Sequence, residues 1–196
     1  MLFRIIILSL CLVTVVSNYF VYTSNINQLS LLSDAGNDAF LLKDDEIKKI
    51  NYKYPSLAIN SVPILTYLSR YDTNKNNFLD AINKLEKSMT QNPYNLYTFY
   101  LISRNYIYLN DYYNAERYLE TLFNLSPKIE SSSSLYFFVL GKNKKIEKLK
   151  TFSDKILDIQ SINIWSFYLS AIKTNIQDKN DTIFYNAILE EFQKKF

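Results

Sequence analysis

Residues 62–95 laid over residues 96–129 agree in a single register at a 34-residue offset. Ser69 meets Ser103, Arg70 meets Arg104, Asn76 meets Asn110, Ala81 meets Ala115, Leu85 meets Leu119, Glu86 meets Glu120 and Pro93 meets Pro127. An internal duplication of this length narrows the possible folds sharply, because so short a unit cannot enclose a core and must bury its apolar side against its neighbours. The residue types within the second copy describe a pair of helices. Phe99, Ile102 and Tyr106 recur at spacings of three and four, which places them on one helical face. Asn110-Asp111 interrupts the pattern. Ala115, Leu119 and Leu122 resume it on a second helix, where the small Ala115 lets two backbones approach and Pro127 stops further helical growth. With two glycines and four prolines in the whole chain, the many tight turns of a β-sandwich or barrel are out of reach. The expected fold is all-α, a solenoid of antiparallel helix pairs.

The second copy resembles the tetratricopeptide repeat. It carries a bulky aromatic at Phe99, Ile102 followed by the small Ser103, Tyr106, a turn, then Tyr112, Ala115, Leu119, Leu122 and Pro127 at that family's intervals. The first copy keeps Leu65, Leu68, Ser69, Phe78, Ala81, Leu85 and Pro93 but has Asp72 in place of the family's first-helix tyrosine. Beyond residue 129 a further 34-residue step puts Leu149 where alanine is expected and Ser161 where proline is expected, so the register is read as lost there. A degenerate pair is expected instead, with a truncated helix at 135–140, a turn at 141–143 and a second helix over 145–159, followed by capping helices at 164–172 and 183–196. Pro63, Asn92-Pro93-Tyr94, Trp165 and Tyr168 together also look like the repeat-bearing tails that follow membrane spans in bacterial surface-polysaccharide ligase-like proteins.

The N-terminus is of another kind. Residues 5–22 carry no charge, Arg4 precedes them, and the next charge is Asp34. The strongest apolar stretch, 5–16, has the length of a signal-peptide core, with Val15-Val16-Ser17 as a small-residue cleavage site. Extended to Tyr22 it reaches the length of a bilayer span, with Tyr19, Phe20 and Tyr22 placed as an interfacial belt. Retained anchor and cleaved signal both fit. Cys11 makes a poor lipidation site because Leu10 before it is not small. Since Arg4 lies ahead of the segment and residues 23–42 contain no lysine or arginine, the body is expected on the extracytoplasmic side. The organisation read from the chain is an anchor or signal at 1–22, a tether and short lead-in helix at 23–61, and the repeat domain at 62–196.

The residue inventory restricts the chemistry. The chain has no histidine, which removes imidazole triads and the commonest metal ligand, and its two glycines stand too far apart for a phosphate loop. A net charge of +3 from 22 basic and 19 acidic residues provides no field for nucleic acid. The run Lys142, Lys144, Lys145, Lys148 and Lys150 is expected as a solvated face, and Asp44-Asp45-Glu46 as a helix start. No catalytic residue, metal site or cofactor is expected. The repeat resemblance implies instead a concave groove lined by first helices, in which Thr66, Arg70, Tyr97, Tyr100, Arg104 and Tyr108 would receive a protein or peptide segment. The family's carboxylate-clamp pattern is not met at Thr66 and Arg70. The function these features imply is that of an anchored scaffold, possessing no chemistry of its own and open to membership of a larger envelope complex. The alternative they imply is an accessory domain of a polysaccharide-assembly machinery whose catalysis resides in a partner.

Overall fold

The computed structural model describes residues 2–196, and among them every regular element is a helix. In chain order these are α1 (Leu2–Gly36), α2 (Asp44–Lys48), α3 (Ile64–Asn74), α4 (Phe78–Gln91), α5 (Leu96–Tyr108), α6 (Tyr112–Leu125), α7 (Glu130–Lys142), α8 (Ile146–Lys150), α9 (Ser153–Leu157), α10 (Ile162–Lys173) and α11 (Lys179–Lys195). The fold is the expected all-α, TPR-like helix-pair solenoid preceded by one long apolar helix. The chain divides into two compact units, Met1–Thr98 and Phe99–Phe196, with the boundary inside α5.

The repeat extends further than the residue identities suggest. Three inter-helix turns carry a residue in the left-handed region at 34-residue steps: Asn76 at φ 61°, Asn110 at 59° and Lys144 at 55°. Each turn is closed by the same bond, in which Asn77 N donates to Tyr-flanked Asp72 O, Asp111 N to Tyr106 O and Lys145 N to Leu140 O, at 2.8, 2.9 and 3.1 Å. Such a closure satisfies carbonyls at a helix end that would otherwise lack partners. The second helices then begin at Phe78, Tyr112 and Ile146, again 34 apart. The loss of register expected after residue 129 is therefore a loss of side-chain identity and not of backbone repeat. Lys144 tolerates a conformation that asparagine adopts more readily. Leu149 is fully buried where the earlier copies bury Ala81 and Ala115. Ser161, in place of proline, caps α10 by accepting from Ile164 N. The third second-helix is broken into α8 and α9, and its partner α7 is a full helix of 13 residues, longer than the truncated 135–140.

In the first unit, residues 23–33, expected as an irregular tether, continue α1 as helix. Ser24, Gln28, Leu31 and Ala35 are buried, a 4-3-4 spacing that forms one stripe. Leu31 and Ala35 join Ile50, Ala58, Ile64, Leu65, Leu68 and Tyr71 in one core. The short α2 begins as expected, with Asp44, Asp45 and Glu46 in its first turn and Glu46 accepting from Lys43 N at 2.8 Å. In the second unit the core is aromatic. Phe123 lies 5.3 Å from both Tyr136 and Phe137 and 5.1 Å from Phe152, and Phe137 lies 4.9 Å from Tyr168. Two of the polar tips that enter this core are bonded there: Trp165 Nε1 donates to Ile159 O at 2.9 Å and the Tyr168 hydroxyl to Leu149 O at 2.8 Å.

Candidate partner-binding face

The six residues that the repeat resemblance assigns to a groove do not share one environment. Thr66 is fully buried, its hydroxyl 3.0 Å from that of Thr98. Tyr97 packs against the first unit's core. Arg70 bonds to Ala35 O and pairs with Asp38 just beyond the end of α1, while its guanidinium lies 5.6 Å from the Phe40 ring. Beside it, Asp34 accepts from the Tyr71 hydroxyl and from Leu41 N and Leu42 N at 2.9 and 3.0 Å. Burial alone would raise the Asp34 pKa, but these donors outweigh it and hold the carboxyl below its ordinary value. In the first unit, then, Arg70 is engaged by the chain's own α1 and the turn that follows it. Of the three expected groove residues here, Arg70 thus lies against the end of α1, Thr66 against Thr98, and Tyr97 against the unit's core.

Tyr100, Arg104 and Tyr108 follow at spacings of four on α5, in the second unit. The Arg104 guanidinium lies 5.7 Å from each of the two flanking rings, and one of its nitrogens donates to the Tyr108 hydroxyl at 2.6 Å. Arginine held between two rings stays extended along the helix and keeps its charge at the surface. One repeat later the same positions are Ser134, Phe138 and Lys142, where the Lys142 ammonium lies 5.5 Å from the Phe138 ring. A groove of about 390 Å³ opens there, lined by Phe138, Gly141, Lys142, Lys144, Phe167 and Asn175 among others. Its floor depends on a close approach of α7 and α10. A Cβ added to Gly141 would sit 3.2 Å from the Ala171 Cβ and 3.3 Å from its Cα. Asn175 closes the contact by donating to Gly141 O at 2.9 Å.

Phe138, Lys142, Lys144 and Phe167 were not among the expected groove residues. One further 34-residue step from Arg104 and Tyr108 would have found the first two. The lysine run is likewise not a uniform solvated face. Lys148 bridges Glu116 and Glu120 at 2.7 and 2.9 Å, and Lys150 bridges Glu147 and Asp181, both at 2.7 Å. Burial opposes the charge on Lys148, yet Glu116 and Glu120 keep its pKa above the usual lysine range. Two of the five lysines thus tie elements together, while Lys142 and Lys144 line the groove.

The fold is similar to that of a solved structure, the MamA RS-1 ArsTM double mutant, a TPR-type protein. The two superpose with a TM-score of 0.56 over 87% of this chain and 92% of that chain, at 15% identity. The sequence matches no protein-family profile and no curated protein. Nothing in these comparisons supports the likeness to polysaccharide ligase-like tails.

Proposed function

We propose that this chain is a membrane-anchored adaptor of the TPR-like kind, which holds a segment of another protein on the first-helix face of its second unit and performs no chemistry on it. The observation that carries the reading is the groove of about 390 Å³ between Phe138 and Phe167, edged by Lys142 and Lys144. That volume lies at the lower end of the roughly 300–1,000 Å³ of small-molecule sites, enough for one or two side chains of a docked segment. Aromatic walls with cationic edges suit a partner segment that pairs an apolar side chain with a carboxylate. Arg104, between Tyr100 and Tyr108, presents the same combination on the preceding first helix. In the first unit the corresponding Arg70 is engaged instead by Ala35 O and Asp38.

Anchoring is the second half of the proposal. Within Phe3–Gly36 an 18-residue window reaches a mean hydropathy of 2.1 with none of it buried, which is long and apolar enough to cross a bilayer. With Arg4 ahead of the apolar segment, the body belongs on the extracytoplasmic side, where membership in an envelope complex follows naturally.

The test is affinity capture by the full chain from its native membranes, comparing wild type with Arg104→Glu and Phe138→Ala. The expected result is loss of the same captured protein from both variants while circular dichroism stays helical. Capture unchanged in both would move the partner face elsewhere.

A further inference from the structure

The loop joining α2 to α3 is fastened to α1 at a defined height. Ser24 Oγ donates to Tyr54 O at 3.3 Å, and Gln28 Nε2 donates to Asn51 O at 3.2 Å and Pro55 O at 3.0 Å. Both of these α1 side chains are buried, so the fastening is part of the packed structure. The loop is braced internally as well. Asn51 Nδ2 donates to Tyr54 O, and Asn51 Oδ1 accepts from Lys53 N, each at 2.9 Å.

Helical rise converts these bonds into depth. Residues 3–22 extend about 30 Å at 1.5 Å per residue, which equals the thickness of a bilayer's hydrocarbon core. The headgroup layer adds about 5–7 Å beyond each side of that core. Ser24 stands two residues past Tyr22, about 3 Å along the axis, so the Tyr54 carbonyl bonded to it falls within that layer.

The side chains carried at this height match the layer. Tyr54 is 65% exposed and Ile59 is 89% exposed, with Tyr52, Lys53 and Leu57 also open. Leu57 and Ile59 line a groove with Asn25, Gln28, Leu29 and Leu32 of α1. Single exposed apolar residues are ordinary on a protein surface. Here they are carried by a loop tied to Ser24, two residues past the expected aromatic belt of Tyr19, Phe20 and Tyr22, and at such a height amphipathic rings and a long basic side chain are at home.

We infer that the 51–59 loop is a second membrane contact, seated in the phospholipid headgroup layer with Tyr52 and Tyr54 as interfacial anchors and Lys53 toward lipid phosphates. This rests on α1 being a span. With two contacts in place of one, the first unit stands at a fixed attitude to the bilayer.

The full chain, with Cys11→Ser, is labelled with an environment-sensitive fluorophore at one introduced cysteine and placed in phosphatidylcholine vesicles carrying spin-labelled lipids. Leu12→Cys reports the span, Tyr54→Cys and, separately, Ile59→Cys report the loop, and Leu41→Cys is the control. Leu41 is also apolar and exposed, but its N–H is bonded to Asp34, about 18 Å beyond Tyr22 along the helix. The expected result is quenching of Leu12→Cys by deep spin labels, a blue shift and quenching of both loop positions by headgroup-level labels, and no change at Leu41→Cys. Loop positions that stay in water while Leu12→Cys is quenched overturn the inference and leave the anchor standing. Leu12→Cys in water overturns both, and quenching at Leu41→Cys overturns the assigned depth.

Discussion

Single side chains decide where this helical stack is held by charge. Asp181 lies almost fully buried at the start of α11, accepting from Lys150 at 2.7 Å and from Gln177 N at 2.9 Å. Lys150, and then the backbone donors, hold its carboxyl below the ordinary range. A carboxyl whose pKa is lower folded than unfolded contributes stability that is complete above the unfolded value, near 3.9, and is lost as pH falls through the depressed one. Asp34 is depressed in the same sense, so both units lose support in the same acid window, below about pH 4. Asp181→Asn is expected to lower the thermal midpoint at pH 7 and to flatten its acid decline. Thermal scans by circular dichroism between pH 7 and pH 3 check this, and parallel curves for the two proteins would refute it. Such pairs were invisible in the sequence, where Lys150 and Asp181 stand 31 positions apart.

Among the elements, the helix pairs differ in what their spacing tolerates. Gly141 meets Ala171 so closely that an added Cβ would need its neighbour to give by a few tenths of an ångström, and a branched, longer side chain would need considerably more. Gly141→Leu should therefore force α7 and α10 apart at a cost of about 1–3 kcal/mol, read as a lowered denaturation midpoint with Trp165 fluorescence as the probe. The element least legible in the sequence was the second half of α1. Its inward stripe is Ser24, Gln28, Leu31 and Ala35, and two polar members hide the helical period that apolar residues would have displayed. A variant beginning at residue 23 keeps this stripe, whereas one beginning at residue 37 uncovers Tyr71, removes the Asp34 carboxylate it donates to and deprives Arg70 of the Ala35 carbonyl. The shorter form is expected to be less stable in urea by several kcal/mol, since burying Leu31 alone is worth about 1.5–3 kcal/mol. Equal midpoints for the two would show that α3 does not need this cover.

For the molecule as a whole, the expected division of labour is an apolar helix that fixes location and a repeat array that offers a surface. The full chain should remain with membranes through an alkaline carbonate wash, while the variant beginning at residue 23 should be released with its helical spectrum intact. Release of both would remove the anchor from the proposal. That the chain is helical and built of hairpins followed from sequence alone, because seven matched residues at a 34-residue offset, with helical spacing inside each copy, leave no other way to cover the apolar faces. Covering those faces is a local matter between sequence neighbours, and local matters are written in periodicity. Which part of the first-helix surface stays open was decided only in three dimensions. Arg70 reads as a groove residue by position, yet it is bonded to the end of a helix some 35 residues earlier in the chain, and Thr66 lies buried against Thr98. The continuing third repeat was likewise hidden, since Lys144 and Ser161 preserve turn and cap geometry without preserving residue type. Backbone closure depends on φ, ψ and hydrogen bonds that several side chains can satisfy, and long-range cover depends on which stripes meet after the chain has folded.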